Sequence, residues 1–356
     1  MISYGIGPST DEIEIIIFGP GFGEAIAVHL GEDQWLLVDS CINPKSKLPA
    51  SSEYLDQIGV GIENVKVIVA SHWHDDHVRG ISKLASKYPS ADFLISGVFN
   101  ENEARAFLAA YGGSVADGLA RGAKELFSVI DGRETVYPVL QRSIVIETLT
   151  NGRSIRATAL SPSPVAFAQS LAHFAQYLPT KARNEPITHA PELKPNLEAV
   201  AIHIDLGDEA ILLGSDLEDD GKLGWSAVVS DGWCQNRRKA TLYKVAHHGS
   251  NTGDHQKIWI DLLKAKPIAC LSPFNNGRHR LPTENDKNRI RARVDQAYIT
   301  SGATRRPDMD NAQLKRLGDI CKNLSRVNSG FGSVRLRKKY GQELWRVENF
   351  GKAQHL

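Results

Sequence analysis

Four ligand-type side chains lie within six consecutive residues of this chain: His72-x-His74-x-Asp76-His77. They directly follow Val65-Lys66-Val67-Ile68-Val69-Ala70, a β-branched run of strand length and buried character. Where a strand gives way to a turn, residues i and i+2 project to one side, so His72 and His74 can share one ion. Asp76 and His77 fall at the start of the next helix and can reach a second ion beside it. Neutral imidazole and carboxylate suit Zn²⁺, in one or two ions, and are compatible with Mn²⁺ or Fe²⁺. Such a cation lowers the pKa of its water to about 7, which supplies a nucleophile at neutral pH without a strong protein base. Lone histidines are usually structural; three histidines and an aspartate at this spacing rarely are.

More ligand-type residues stand at the ends of other short apolar segments. Asp39 closes Gln34–Val38, Asp216 follows Leu212-Leu213-Gly214-Ser215, and His247-His248-Gly249-Ser250 follows Thr241–Ala246. Several strands ending on one rim is how an α/β scaffold gathers distant residues into one site. Adjacent strand residues point to opposite sides, so only one of His247 and His248 is expected to be a ligand.

The elements that must position these groups follow from the pattern. Strands are expected at Ile13–Phe18, Ala25–Leu30, Gln34–Val38, Val65–Ala70, Ser154–Leu160, Ala199–Leu206, Ala210–Leu213, Thr241–Ala246 and Pro267–Ser272, with a terminal hairpin over Ser333–Val347. Helices are expected at Gly80–Lys87, twice within Glu101–Ile130 with a break at Gly112-Gly113, at Val165–Tyr177 and at Asn285–Ala297. The proline-containing stretch Lys181–Pro195 reads as a surface insertion. Gly19-Pro20-Gly21-Phe22-Gly23 lacks the Lys-Ser/Thr of a phosphate-binding loop and precedes a strand, so it reads as a structural turn. This order suggests two mixed β-sheets flanked by helices.

The composition, 42% hydrophobic and 23% charged in 356 residues, is that of a globular chain. No apolar run approaches the ~18–20 residues of a membrane span, and Met1–Thr10 has no secretory pattern, so no membrane partner is expected. The four scattered cysteines, Cys41, Cys234, Cys270 and Cys321, fit a reducing cytoplasm. Between Arg278 and Arg346 the sequence holds 17 Lys plus Arg against 7 Asp plus Glu, a surplus of 10 in a chain of net charge +1. That asymmetry points to an anionic partner or to a solvated helical face.

His72-x-His74-x-Asp76-His77 resembles the HxHxDH signature of the metallo-β-lactamase fold superfamily. Asp39 resembles the aspartate of its first motif, which supports the metal-binding loop. Leu212-Leu213-Gly214-Ser215-Asp216 resembles the motif whose aspartate bridges two metals, with Gly-Ser-Asp in place of the usual Gly-Asp. His247-His248-Gly249-Ser250 resembles the HHGS motif of the ComEC-like branch, the DNA-uptake competence nucleases and their stand-alone relatives. Leu160-Ser161-Pro162, Asn275-Asn276 and Arg278-His279 followed by Pro282 are similar to features of that branch. The resemblance implies an αββα sandwich over residues 1–356 as one domain, with helical insertions near 101–130 and 165–195. It implies His72, His74, Asp76, His77, Asp216 and His248 as metal ligands, with His248 favoured over His247 because the ligand commonly precedes a glycine. Asn196 stands where most members carry a third-motif histidine, which predicts a weakened first metal site. His189 lies near, within the proline-rich insertion.

These features imply a metal-dependent hydrolase of phosphodiesters, most plausibly a nuclease. Asp216 would hold the water and take its proton, and His279 would protonate the leaving group or contact substrate. His247, Asn196 and Asp39 would support the ligands or face substrate, while Lys244 and Arg278 could pair with phosphate oxygens or be solvated. Two alternatives remain: a small-molecule metallohydrolase (a lactonase, phosphocholine-type esterase or cyclic-nucleotide phosphodiesterase), and a non-catalytic binding protein on a degraded hydrolase fold. Fold and metals do not choose among them.

Overall fold

The structure, a computed structural model, describes residues 2–19, 23–100, 119–177, 195–276, 279–302, 316 and 330–356. Alternation decides the layering. In β1 (Glu12–Gly19), Ile13, Ile15 and Ile17 enter one hydrophobic cluster, while Ile16 and Phe18 enter another with Tyr54. Each fully buried isoleucine contributes about 1.5–3 kcal/mol relative to exposure.

The first sheet contains β1, β2 (Ala25–His29), β3 (Trp35–Val38), β4 (Val65–Ala70), β5 (Asp92–Ser96) and β6 (Tyr137–Val139) in sequence order. The second contains β7 (Ile144–Thr150), β8 (Arg153–Ala159), β9 (Ile202–Asp205), β10 (Ala210–Leu213), β11 (Ala240–Lys244) and β12 (Leu263–Leu271). A separate hairpin joins β13 (Phe274–Asn276) to β14 (His279–Leu281), and β15 (Gln296–Ile299) returns to the second sheet beside β12. Then β16 (Gly332–Lys339) pairs with β1, β17 (Arg346–Gly351) covers β16, and β18 (Gln354–His355) edges the second sheet. Both sheets are mixed: β3 to β6 run parallel, as do β10, β11, β12 and β15.

The inner faces share one cluster, with Ile15, Leu36 and Val69 from one sheet and Ile155, Ile204 and Leu213 from the other. On the first sheet's outer face lie residues of the helices Ala50–Gln57, Ile81–Lys87 and Leu119–Gly132; residues of Trp225–Ser230 and Glu284–Arg291 lie on the second's. The result is two mixed sheets between helical layers. Among the described residues, no helix is long and apolar enough to cross a membrane.

Two expectations change. The helix expected over Asn285–Ala297 stops at Arg291, and Ala297-Tyr298-Ile299 become strand because they pair in parallel with Ala269–Leu271. The strand expected from Ala199 begins at Ile202. Residues 199–201 instead tie loops together: Val200 N–H donates to Ser71 O at 3.0 Å and Ala201 N–H to Ser161 Oγ at 2.9 Å. Pro164–Tyr177 is helical. The Gly112-Gly113 break, His189, most of Lys181–Pro195, Arg278 and Cys321 lie outside the described residues. Cys41, Cys234 and Cys270 are buried free thiols.

Candidate metal centre

The carboxyl ends of β3, β4, β10 and β11 meet at one rim, the place where parallel strands of open α/β sheets present functional groups. Asp39, Ser215, His247 and His248 occupy left-handed backbone there, with φ of 60°, 47°, 47° and 52°. Non-glycine residues in that region cost of order 1–3 kcal/mol each and cluster at functional sites. Gly214 is required where β10 meets β11, since a Cβ would lie 2.9 Å from the Ala246 nitrogen and the Lys244 carbonyl oxygen.

Asp76, His77, Asp216 and His248, all buried, bring one ligand atom each to within 4.8 Å of one another. His248 Nε2 lies 3.1 Å from Asp76 Oδ2 and 3.2 Å from Asp216 Oδ2. His77 Nε2 lies 3.3 Å from Asp216 Oδ1 and 3.7 Å from Asp76 Oδ2. Both rings are oriented from behind, as metal-binding imidazoles usually are. His77 Nδ1–H donates to Asp39 at 2.7 Å, and His248 Nδ1–H donates to the Ser272 carbonyl at 3.1 Å. Asp39 is otherwise engaged by the Ser71 amide and hydroxyl, each at 2.7 Å, so it braces the loop.

His72 is fully buried, its ring centroid 4.3 Å from that of His77 and 4.9 Å from that of half-buried His74. Its Nδ1 faces Ser71 Oγ at 3.0 Å. Asn196 turns its amide toward His247 Nε2 at 3.2 Å and Glu218 Oε1 at 3.4 Å. His247 Nδ1 meets Thr252 Oγ1 at 2.8 Å and Glu218 Oε1 at 2.9 Å. The two adjacent histidines do face apart, but through a left-handed 3₁₀ turn rather than through strand pleating.

Electrostatics separate these groups. Burial alone would raise the Asp216 carboxyl, yet the His248 and His77 rings hold it well below the usual carboxylate range. Burial opposes protonation of His248, and Asp216 and Asp76 override it, lifting the ring to about 9. His77 is likewise raised well above its ordinary value by Asp216, Asp39 and Asp76 against burial. His72 goes the other way, depressed by burial and then by His77 and His74. His74 is depressed mainly by burial.

The donor set fits a divalent cation. His72 Nε2 is buried without a hydrogen-bond partner, and His77 Nε2 and Asp216 Oδ1 are buried with only a loose 3.3 Å approach to each other, which is costly unless something else satisfies them. Imidazole nitrogen with carboxylate oxygen is a donor set for Zn²⁺, Mn²⁺ or Fe²⁺.

Other candidates stand elsewhere. His279 is exposed on β14, outside the buried cluster, although its hairpin touches the site where Phe274 packs 5.3 Å from the His248 ring. Lys244 is not available to a substrate phosphate: it is fully buried, 2.6 Å from Glu24 Oε1. Glu24, Ser71, Ser272, Glu218 and Thr252 were not legible as site residues. A charged residue inside the apolar run Leu242-Tyr243-Lys244-Val245-Ala246 was the available signal that a buried carboxylate must answer it.

A two-sheet sandwich with a histidine–aspartate cluster at its strand ends is the metallo-β-lactamase architecture. Residues 18–133 match the family model described as the metallo-beta-lactamase superfamily, and over that segment the chain carries a domain of this superfamily. The segment includes Glu24, Asp39 and His72 to His77. Similar solved structures include the metallo-beta-lactamase fold protein YhfI from Bacillus subtilis, with 14% identity, 81% of this chain and 95% of that chain covered, and a TM-score of 0.39. MEM-A1, a subclass B3 metallo-beta-lactamase from a soil metagenome library, has 14% identity over 66% of this chain and 78% of its own, with a TM-score of 0.36. BJP-1, a subclass B3 enzyme of Bradyrhizobium japonicum, has 14% identity over 62% and 70%, with a TM-score of 0.32. No curated protein matched the chain.

Proposed function

We propose that this protein is a metal-dependent hydrolase of phosphodiester bonds, and within that class a nuclease of the ComEC-like branch. The observation that carries the hydrolase reading is the convergence of Asp76, His77, Asp216 and His248 within 4.8 Å, with the unpartnered, buried His72 Nε2 beside them. A bound divalent cation supplies Lewis acidity and makes water a nucleophile near neutral pH. With such an ion held there, Asp216 would orient the attacking water and take its proton. His247 and Asn196 would line the approach, and His279, exposed on the β13–β14 hairpin outside the cluster, would meet the leaving group or the substrate at the rim. The finer reading is supported by the order of the Asn196, His247-His248-Gly249-Ser250 and Asn275-Asn276 motifs.

A second reading, a hydrolase of small molecules, gains support from the basic third of the chain. Arg289 and Arg293 bind Asp254, Arg335 binds Glu348, Arg337 binds Glu14 and Lys338 binds Glu209. Among the described residues, these five cations expected to meet an anionic polymer are therefore already held by acids of the chain itself. A cleavage assay on single- and double-stranded nucleic acid at several salt concentrations, run beside cyclic nucleotides and lactones, separates the two. The nuclease reading expects metal-dependent cleavage that weakens with salt and disappears in His74→Ala and Asp216→Ala. Turnover of small substrates alone contradicts it.

A further inference from the structure

We propose that the buried Lys244–Glu24 ion pair is a positioning device that sets the loops of Asp76, Asp216 and His248 for cation binding, an inference that rests on the metal reading above. Neither side chain is more than 1% exposed. Glu24 precedes β2 of the first sheet and Lys244 ends β11 of the second, so the pair ties the two sheets at the rim.

The pair's side-chain contacts lead to the loops of Asp216 and His248, and the backbone amide of Glu24 reaches the loop of Asp76. The Glu24 amide donates to the Asp76 carbonyl at 2.9 Å. One Glu24 carboxylate oxygen is 2.6 Å from Lys244 Nζ, and the other accepts from Ser272 Oγ. The Ser272 carbonyl in turn orients His248 through Nδ1. Lys244 Nζ donates to the Ser215 carbonyl at 3.0 Å, one residue before Asp216, and lies 4.0 Å from Asp216 Oδ1.

Stability does not account for the pair, because desolvating two charges costs as much as or more than their attraction returns. A lone ammonium so near Asp216 would compete with a divalent cation for that carboxylate. Glu24 cancels its charge, so the pair fixes geometry without adding net charge to the site. Partners behind metal ligands act in this way, and removing them typically costs about 10- to 100-fold in metal affinity.

The test measures zinc affinity by competition with a chromophoric chelator, the absorption spectrum of the cobalt(II)-loaded protein, and melting of the metal-free protein. Glu24→Gln and Lys244→Met are each expected to lower zinc affinity about 10- to 100-fold and to shift the cobalt spectrum. The double variant should lose less than the product of the two, since the groups act as a unit. Ser272→Ala, which keeps the pair but cuts its link to the His248 loop, should show a smaller loss in the same direction. Folded single variants with wild-type affinity and spectrum overturn the proposal; if they do not fold, an unchanged Ser272→Ala overturns it instead. Wild-type protein that binds no zinc overturns the metal reading itself, and this inference with it.

Discussion

The candidate metal centre has two unequal halves. Asp76, His77, Asp216 and His248 form a buried quartet in which two carboxylates favour the protonated form of the two imidazoles that face them. His72 and His74 form the other half, where burial and neighbouring rings favour neutral imidazoles. Asn196, where the resemblance leads one to expect a third histidine, is turned toward His247 and Glu218. The quartet offers more ligands and more negative charge, but a cation entering it must displace protons. The pair is already favoured in its ligand form, and it borrows its counter-charge from Asp76 and Asp216 of the quartet. The difference predicts that a first ion goes to the quartet and that a second, beside His72 and His74, binds more weakly.

The largest expected effect comes from Asp216→Ala, which strips the quartet of one ligand and the pair of a shared carboxylate. Losing one ligand of four from a site worth roughly 10–16 kcal/mol should lower zinc affinity by about 100- to 1000-fold. Chelator competition reads it, and an affinity within a few-fold of wild type would break the comparison. Next is Asn196→His, which would offer a third imidazole to the weaker half. It should tighten a second ion by about 10- to 100-fold, the scale of one coordination-linked contact, seen as a second equivalent in calorimetry; unchanged stoichiometry would count against the unequal halves.

Acidity sharpens the contrast further. With His248 raised to about 9, its proton competes with metal at every pH below that value. Zinc affinity should therefore rise with pH up to about 9, by about tenfold per unit for each proton displaced, with release measurable in weakly buffered solution. A flat profile from pH 6 to 8 would mean that the quartet does not receive the ion. The smallest effect on metal binding is expected outside the site, at buried Glu198, raised by burial to about 8 although Ser170 hydrogen-bonds to it. Its folded value lies above its unfolded one, so its contribution is fully present below about pH 4.5 and lost as pH rises through about 8. Glu198→Gln should flatten that stability slope in pH-dependent melts and leave zinc affinity unchanged.

The legible part of this centre was the part written locally. His72, His74, Asp76 and His77 stand within one strand-to-helix junction, where spacing alone predicts shared direction. Asp39, Asp216 and His248 were visible because each follows a short apolar strand, and strand ends of an α/β sandwich converge. Glu24 and Ser272 were invisible, because their roles arise only when two sheets are packed face to face, 248 residues apart in sequence. Lys244 was misread for the same reason: a lysine near a ligand motif suggests a phosphate, and only the fold reveals the carboxylate it already holds. In the fold, the apolar strands β1 to β4 announced themselves. Residues 296–299 did not, since a helical pattern ran into them and only pairing with β12 made them strand.

The most direct test is a crystal structure of the protein loaded with one equivalent of zinc, with the ion located by its anomalous scattering. A single peak bounded by Asp76, His77, Asp216 and His248 is the predicted result. A first ion seated on His72 and His74 with the quartet left empty, or a peak anywhere else in the molecule, would contradict the account.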